Sequence, residues 1–214
     1  ALASAFATLF LGRMLYNCLS LAAELAALAA AGYLGAWAWR RPAEPRLAAA
    51  GLALSLCLAQ KETSVILATA MALFQFWTWR GARGRSRFFE FALYWLSAAS
   101  LPIIYYGLIL DTGFAEIPLN HSLLRYHMEF HRYEPLTPAT GARTYWQAFG
   151  LGLPLAALGL ARAVRRGRWR DSDRLFACWL AASLWTLAMP FLFPRFLLYS
   201  LPPFAYFAAL AAEW

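Results

Sequence analysis

Seven apolar runs punctuated by charge or proline leave this chain few folds to choose from. They cover residues 14–39, 47–60, 65–79, 88–110, 146–164, 175–193 and 196–214, with a shorter run over 1–12 before them. Most approach the ~20 residues needed to cross a hydrocarbon core about 30 Å thick. In hydrocarbon a backbone has to satisfy its own N–H and C=O groups, which a helix does. With 62% hydrophobic and 14% charged residues, the chain is far from the roughly half apolar and about one-quarter charged balance of soluble domains. The expected fold is all-α: one polytopic transmembrane helical bundle over 1–214, of about seven spans plus a partial one. The opening run lacks the basic flank of a signal peptide and reads as the stump of a helix. Trp214 closes the sequence without a polar tail, so truncation at both ends is expected.

The cations set the orientation. Arg40, Arg41 and Arg46 share one loop, Arg80, Arg83, Arg85 and Arg87 a second, and Arg162, Arg165, Arg166, Arg168, Arg170 and Arg174 a third. With seven crossings in that order, all thirteen fall on one side, the cytoplasmic side by the positive-inside rule. The other six (Arg13, Lys61, Arg125, Arg132, Arg143 and Arg195) fall opposite, where Asp111, Glu116, Glu129 and Glu134 offset them. Cations in short clusters between apolar runs orient a membrane protein, so the formal net charge of +8 does not point to nucleic acid. Trp37, Trp39, Trp77 and Trp79 lie at expected cytoplasmic helix ends, as in an interfacial aromatic belt. Cys18, Cys57 and Cys178 sit within apolar runs without metal-ligand spacing and read as small buried hydrophobes.

Lys61, the only lysine, stands beside Glu62 between two apolar runs. A single helix over 47–79 would put two arginine clusters on opposite faces, so a short broken helix pair is expected instead. Fourteen residues reach only about 21 Å at 1.5 Å per residue, which sets Lys61 in a recess below the outer surface. Ionisable groups at such depth line cavities or pair with one another. Lys61–Glu62 is accordingly either a substrate contact or a structural ion pair.

Three constellations carry candidate chemistry. Thr63 and Ser64 suit the start of a helix near Val65, and Pro194-Arg195 precedes one near Phe196. Each start offers free backbone N–H groups beside a cation, a combination suited to phosphate; Arg195 could equally snorkel to the interface. Arg13, Asn17, Ser20 and Glu24 recur at four, three and four, one helical face that either lines a cavity or glues helices together. The long external loop 111–145 holds Leu119, Leu123, Tyr126, Phe130 and Tyr133 at helical spacing, an external amphipathic helix lying on the membrane. His127 and His131 share a face there with His121 upstream, which offers a divalent metal two ligands but fixes no third. The other reading makes them, with Glu129 and Arg132, polar edges of a substrate groove or a solvated face. Asn120-His121-Ser122 matches a glycosylation triplet too common to weigh.

Gly51-Leu-Ala-Leu-Ser-Leu-Cys-Leu-Ala-Gln-Lys-Glu-Thr-Ser64 resembles the "GLALGLALLTKET" stretch of C-type polytopic glycosyltransferases related to protein O-mannosyltransferases and to the lipid A aminoarabinose transferase. Pro194-Arg-Phe-Leu-Leu-Tyr-Ser-Leu-Pro-Pro203 is similar to their "PRYLLPALP". Gly12-Arg13-Met14 resembles their "R…D" segment, with Asn17 and Cys18 where an acid is often found. The resemblance covers most of the chain and rests on order and spacing. It implies transfer of a sugar from a polyprenyl-phosphate donor to a hydroxyl of a glycan, lipid or protein acceptor, with inversion, on the extracytoplasmic side of a bacterial inner or plasma membrane. Lys61 and Arg195 would then contact the leaving phosphate, with Arg13 a third. The family's catalytic acid lies in a first external loop expected to precede Ala1, so no base is assigned here; Glu62, Glu129 and Glu134 are acids on the same side. The rival reading is a transporter or flippase-associated protein, for which internal repeats, not found, would be the cue. A non-catalytic membrane scaffold is the third.

Overall fold

The structure, a computed structural model, describes residues 23–60, 64–79, 85–111, 138–184 and 198–213. These form helices joined by short turns, with no strand among them: α1 over 23–40, α2 Glu44–Gln60, α3 Val65–Trp79, α4 Arg85–Asp111, α5 Pro138–Phe149, α6 Gly152–Arg165, α7 Asp171–Leu184, a 3-10 turn Leu198–Ser200 and α8 Leu201–Ala212. The described part of the chain is all-α, as its apolar runs predict. Among the described residues no single helix is long and apolar enough to cross a membrane; α5 and α6 together, over Gly141–Phe149 and Gly152–Arg165, have that length and composition but meet at 93°.

That bend corrects the single helix expected over 146–164. Gly150 adopts φ +47°, left-handed backbone that favours glycine and ends helices, and its N–H closes α5 on the carbonyl of Trp146 at 2.7 Å. Pro154 then falls in the first turn of α6, where a missing N–H costs nothing. The last part of the expected external loop is therefore helical, since α5 begins at Pro138.

Small residues set the closest helix crossings, because without bulk at the contact two backbones can approach. A Cβ on Gly51 would lie 2.7 Å from Cβ of Ser97 and overlap the carbonyl oxygen of Tyr94, which brings α2 hard against α4. One turn on, Ser55 Oγ accepts from the N–H of Leu101 at 3.0 Å, beside Pro102 inside α4. Gly159 does the same for α6 and α8: a Cβ there would overlap the carbonyl of Phe207. Two buried clusters result. One joins α1, α2, α3, α4 and α7 around Leu28, Leu54, Leu67, Met71, Phe74 and Trp179; the other joins α5, α6 and α8 around Tyr145, Ala156, Ala163, Phe204 and Phe207. Phe176 of α7 packs on both.

The described arginines outside α5 gather at one end of this bundle. Arg40 pairs with Asp171 at 2.7 Å, Arg87 donates to the carbonyl of Trp39 at 3.1 Å, and the rings of Trp77 and Trp169 lie 5.1 Å apart. The Arg40–Asp171 pair is half-exposed, and such pairs contribute only about 0–1 kcal/mol, so it marks proximity more than stability. Arg87 matters more: Trp39 belongs to the last turn of α1, whose carbonyls have no intrahelical partner, and a guanidinium is a good cap for them. Arg162 caps α8 in the same way through the carbonyl of Leu210 at 3.0 Å.

Trp39 departs from the aromatic-belt expectation. It is 2% exposed, packs against Trp79 and Phe91 and donates its indole N–H to Thr78 at 2.9 Å. It is a core residue that locks three helix ends together, whereas Trp37 and Trp77 are exposed. Cys57 and Cys178 are free thiols, both buried; Cys18 lies outside the described residues.

Candidate functional site

The end of the bundle opposite the arginines is assembled from α1, the α2–α3 junction, the 3-10 turn before α8, and α5. Ser64, immediately before α3, is fully buried and donates its hydroxyl to the carbonyl of Cys57 at 2.8 Å. That carbonyl is one of the last four of α2 and has no partner within the helix. Ser64, expected to cap the start of α3, thus uses its hydroxyl proton to close the end of α2, and the two helices are held together where Lys61 follows Gln60 in sequence. α3 then turns back, so that Trp79 and Thr78 reach Trp39 at the arginine end.

Glu24, the last member of the polar stripe, accepts a hydrogen bond from the phenol of Tyr199 and lies within electrostatic reach of Cys57. Tyr199 is 1% exposed and packs in the same buried cluster as Leu28 and Cys57. Its neighbour Ser200, also buried, meets Tyr145 of α5, with hydroxyl oxygens 3.3 Å apart. The carboxyl group of Glu24 is thus held on a donor at the rim of the bundle. A carboxylate fixed this way can order neighbouring donors or cations, and hydrogen bonds to an ionised partner are among the stronger kind.

Described residues of three separate stretches therefore meet here: Glu24 of the polar stripe, Cys57 with Ser64, and Tyr199 with Ser200. Of the residues singled out in the sequence, Arg13, Lys61, Glu62, His127, Glu129, His131, Arg132 and Arg195 lie outside the described residues, as do Asn17, Ser20 and the expected amphipathic helix 119–133. Among the described residues no group of three or more His, Cys, Asp or Glu side chains could hold a metal ion; the three histidines are outside that set. Tyr199, Ser200 and Tyr145 were not legible as site residues. The available signal was local: with Arg195, Tyr199 and Ser200 are the polar members of the Pro194–Pro203 motif.

The described residues form a helical bundle with most of their arginines at one end and, at the other, the half-buried Glu24 paired with the buried Tyr199. Comparison with family models, curated proteins and solved structures gives no match.

Proposed function

We propose that this chain is the membrane-embedded part of a C-type glycosyltransferase. It moves a sugar from a polyprenyl-phosphate donor to a hydroxyl acceptor at the end of the bundle opposite the arginines, on the extracytoplasmic side of a bacterial inner membrane. The observation that carries this reading is that two of the segments on which the family resemblance rests, Gly51–Ser64 and Pro194–Pro203, meet through Cys57 and Tyr199 in one buried cluster beside Glu24. Segments far apart in sequence need not have met; their meeting at one rim supports a shared site.

The membrane part of the reading is supported by the outer surface. Leu151, Leu96, Tyr33, Phe88, Ile103 and Leu158 are each more than 60% exposed, large apolar side chains that suit a lipid surround. Helices shorter than a full hydrocarbon core, such as the 15-residue α3, suit a protein that thins the bilayer or holds a water-filled recess. In the proposed reaction the acceptor oxygen attacks the anomeric carbon, the bond from that carbon to the donor phosphate oxygen breaks, and the acceptor proton passes to a base. Lys61 and Arg195 bind the phosphate as its charge grows.

The test is turnover in proteoliposomes by the full-length protein, with a panel of polyprenyl phosphates carrying labelled hexose, pentose or aminopentose. Lys61→Ala and Arg195→Ala are each expected to lower turnover by about 10²–10³, as loss of a group aimed at developing charge does, while Arg168→Ala leaves it unchanged. Full turnover in both variants would overturn the assignment. Movement of the intact sugar lipid between leaflets without cleavage would replace glycosyl transfer by transport.

A further inference from the structure

A groove of about 530 Å³ opens beside α6 at the arginine end. Its floor is aliphatic, from Leu155, Leu158, Ala161 and Ala211, and its rim is cationic, from Arg162, Arg165 and Arg166. None of the described residues lining it is acidic. From Leu155 to Arg166 the helix advances about 16 Å at 1.5 Å per residue, the depth of one leaflet of a ~30 Å core. Arg162 is engaged by the carbonyl of Leu210. Arg165 is exposed, and Arg166 has a buried Nη1 without an acceptor among the described residues.

The guanidinium groups of Arg165 and Arg166, without a carboxylate partner among the described residues, stand beside a leaflet-deep apolar channel and match one kind of molecule, an amphiphile with a phosphodiester head and a hydrocarbon tail. We propose that this groove seats an anionic glycerophospholipid of the arginine-side leaflet, with its phosphate on Arg165 and Arg166 and one acyl chain along Leu158 and Leu155. The site is at the opposite end from the proposed sugar-transfer rim. It rests on the membrane part of the preceding reading and not on glycosyl transfer.

Native mass spectrometry of the full-length protein in neutral detergent tests this, with phosphatidylglycerol and phosphatidylcholine of equal chain length supplied at equal concentration. Phosphatidylglycerol is expected to bind at least about fivefold more tightly. The double variant Arg165→Gln/Arg166→Gln should lose about thirtyfold, taking ~1 kcal/mol per basic residue near an anionic headgroup. Arg168→Gln, outside the groove, should change nothing. Equal binding of the two lipids overturns the proposal, as does an Arg168→Gln loss as large as that of the double variant. Displacement of phosphatidylglycerol by equimolar inorganic phosphate would also overturn it, by assigning the site to a free anion. Should the double variant misfold, photo-crosslinking of wild type by a tail-labelled phosphatidylglycerol decides: labelling within 155–166 supports the site and labelling only elsewhere overturns it. Release of the protein from membranes by alkaline carbonate would sink the membrane reading itself, whereas a protein that stays in the membrane but shows no lipid preference sinks this site alone.

Discussion

The phenol of Tyr199 donates a hydrogen bond to the carboxylate of Glu24, a residue 175 positions earlier in the chain. This contact ties the turn before α8 to the start of the described part of α1, and so closes the bundle between its two most distant described segments.

Hydrogen bonds to charged groups contribute about 1.5–3 kcal/mol, so Tyr199→Phe is expected to destabilise the protein by that much. Glu24→Gln keeps an acceptor and should cost less. In a double-mutant cycle the two changes should couple by about 0.5–3 kcal/mol, read from thermal unfolding in detergent. Additive losses would show that the pair does not act as a unit.

Three glycines give a graded series in the same assay. Gly159→Ala drives a methyl into the carbonyl of Phe207 and forces α6 from α8, for a loss of at least about 1–3 kcal/mol, the usual range for overpacking. Gly167, at φ +64° with open space around it, should lose about 1–2 kcal/mol as alanine from backbone strain alone. Gly152 is helical with nothing within 4 Å of a new methyl, so Gly152→Ala should gain about 0.5–1 kcal/mol.

Asp173 is fully buried and accepts from the phenol of Tyr206 at 2.6 Å and from the backbone N–H of Arg170 at 2.9 Å. The second bond is the return half of a capping box at the start of α7. Asp173→Ala leaves the backbone N–H of Arg170 without its acceptor, while the Tyr206 phenol retains Ser172 Oγ at 2.9 Å, for a loss of about 1–3 kcal/mol in all. Asp173→Asn retains one acceptor oxygen and should fall between wild type and alanine in melting temperature.

Orientation follows from the arginine end. In a background with Cys18, Cys57 and Cys178 replaced by serine or alanine, Arg168→Cys is expected to react with a membrane-impermeant maleimide only after the membrane is opened. Glu129→Cys should react in intact spheroplasts. The reverse pattern would invert the proposed topology and move the candidate rim to the cytoplasm.

Much of the helical framework could be read from the sequence, because apolar runs broken by arginine are a coarse signal that packing does not overrule. The break between Gln60 and Ser64 is an example: charge bookkeeping alone argued for two helices there. The break at Gly150 was not legible, since hydropathy runs unbroken through Phe149-Gly-Leu-Gly-Leu-Pro154 and carries no information on backbone handedness. Trp39 was misread for a related reason. A tryptophan at a helix end can face lipid or core, and its partners Thr78, Phe91 and Arg87 come from two other helices. For the site, the sequence marked Glu24 as one of a polar face but gave no means to pair it with Tyr199, because such a contact depends on how α1 and the turn before α8 meet in space.

The glycine at 159 also fixes an order of events. Arg162 of α6 and Leu210 of α8 are 48 residues apart, and at a synthesis rate of about 5–20 residues per second the ribosome adds that stretch in about 2–10 s. For those seconds the small-residue face of the newborn α6 has no native partner. Seating of Phe207 on Gly159 is therefore a late step, which cannot begin until the last helix of the described bundle has been made.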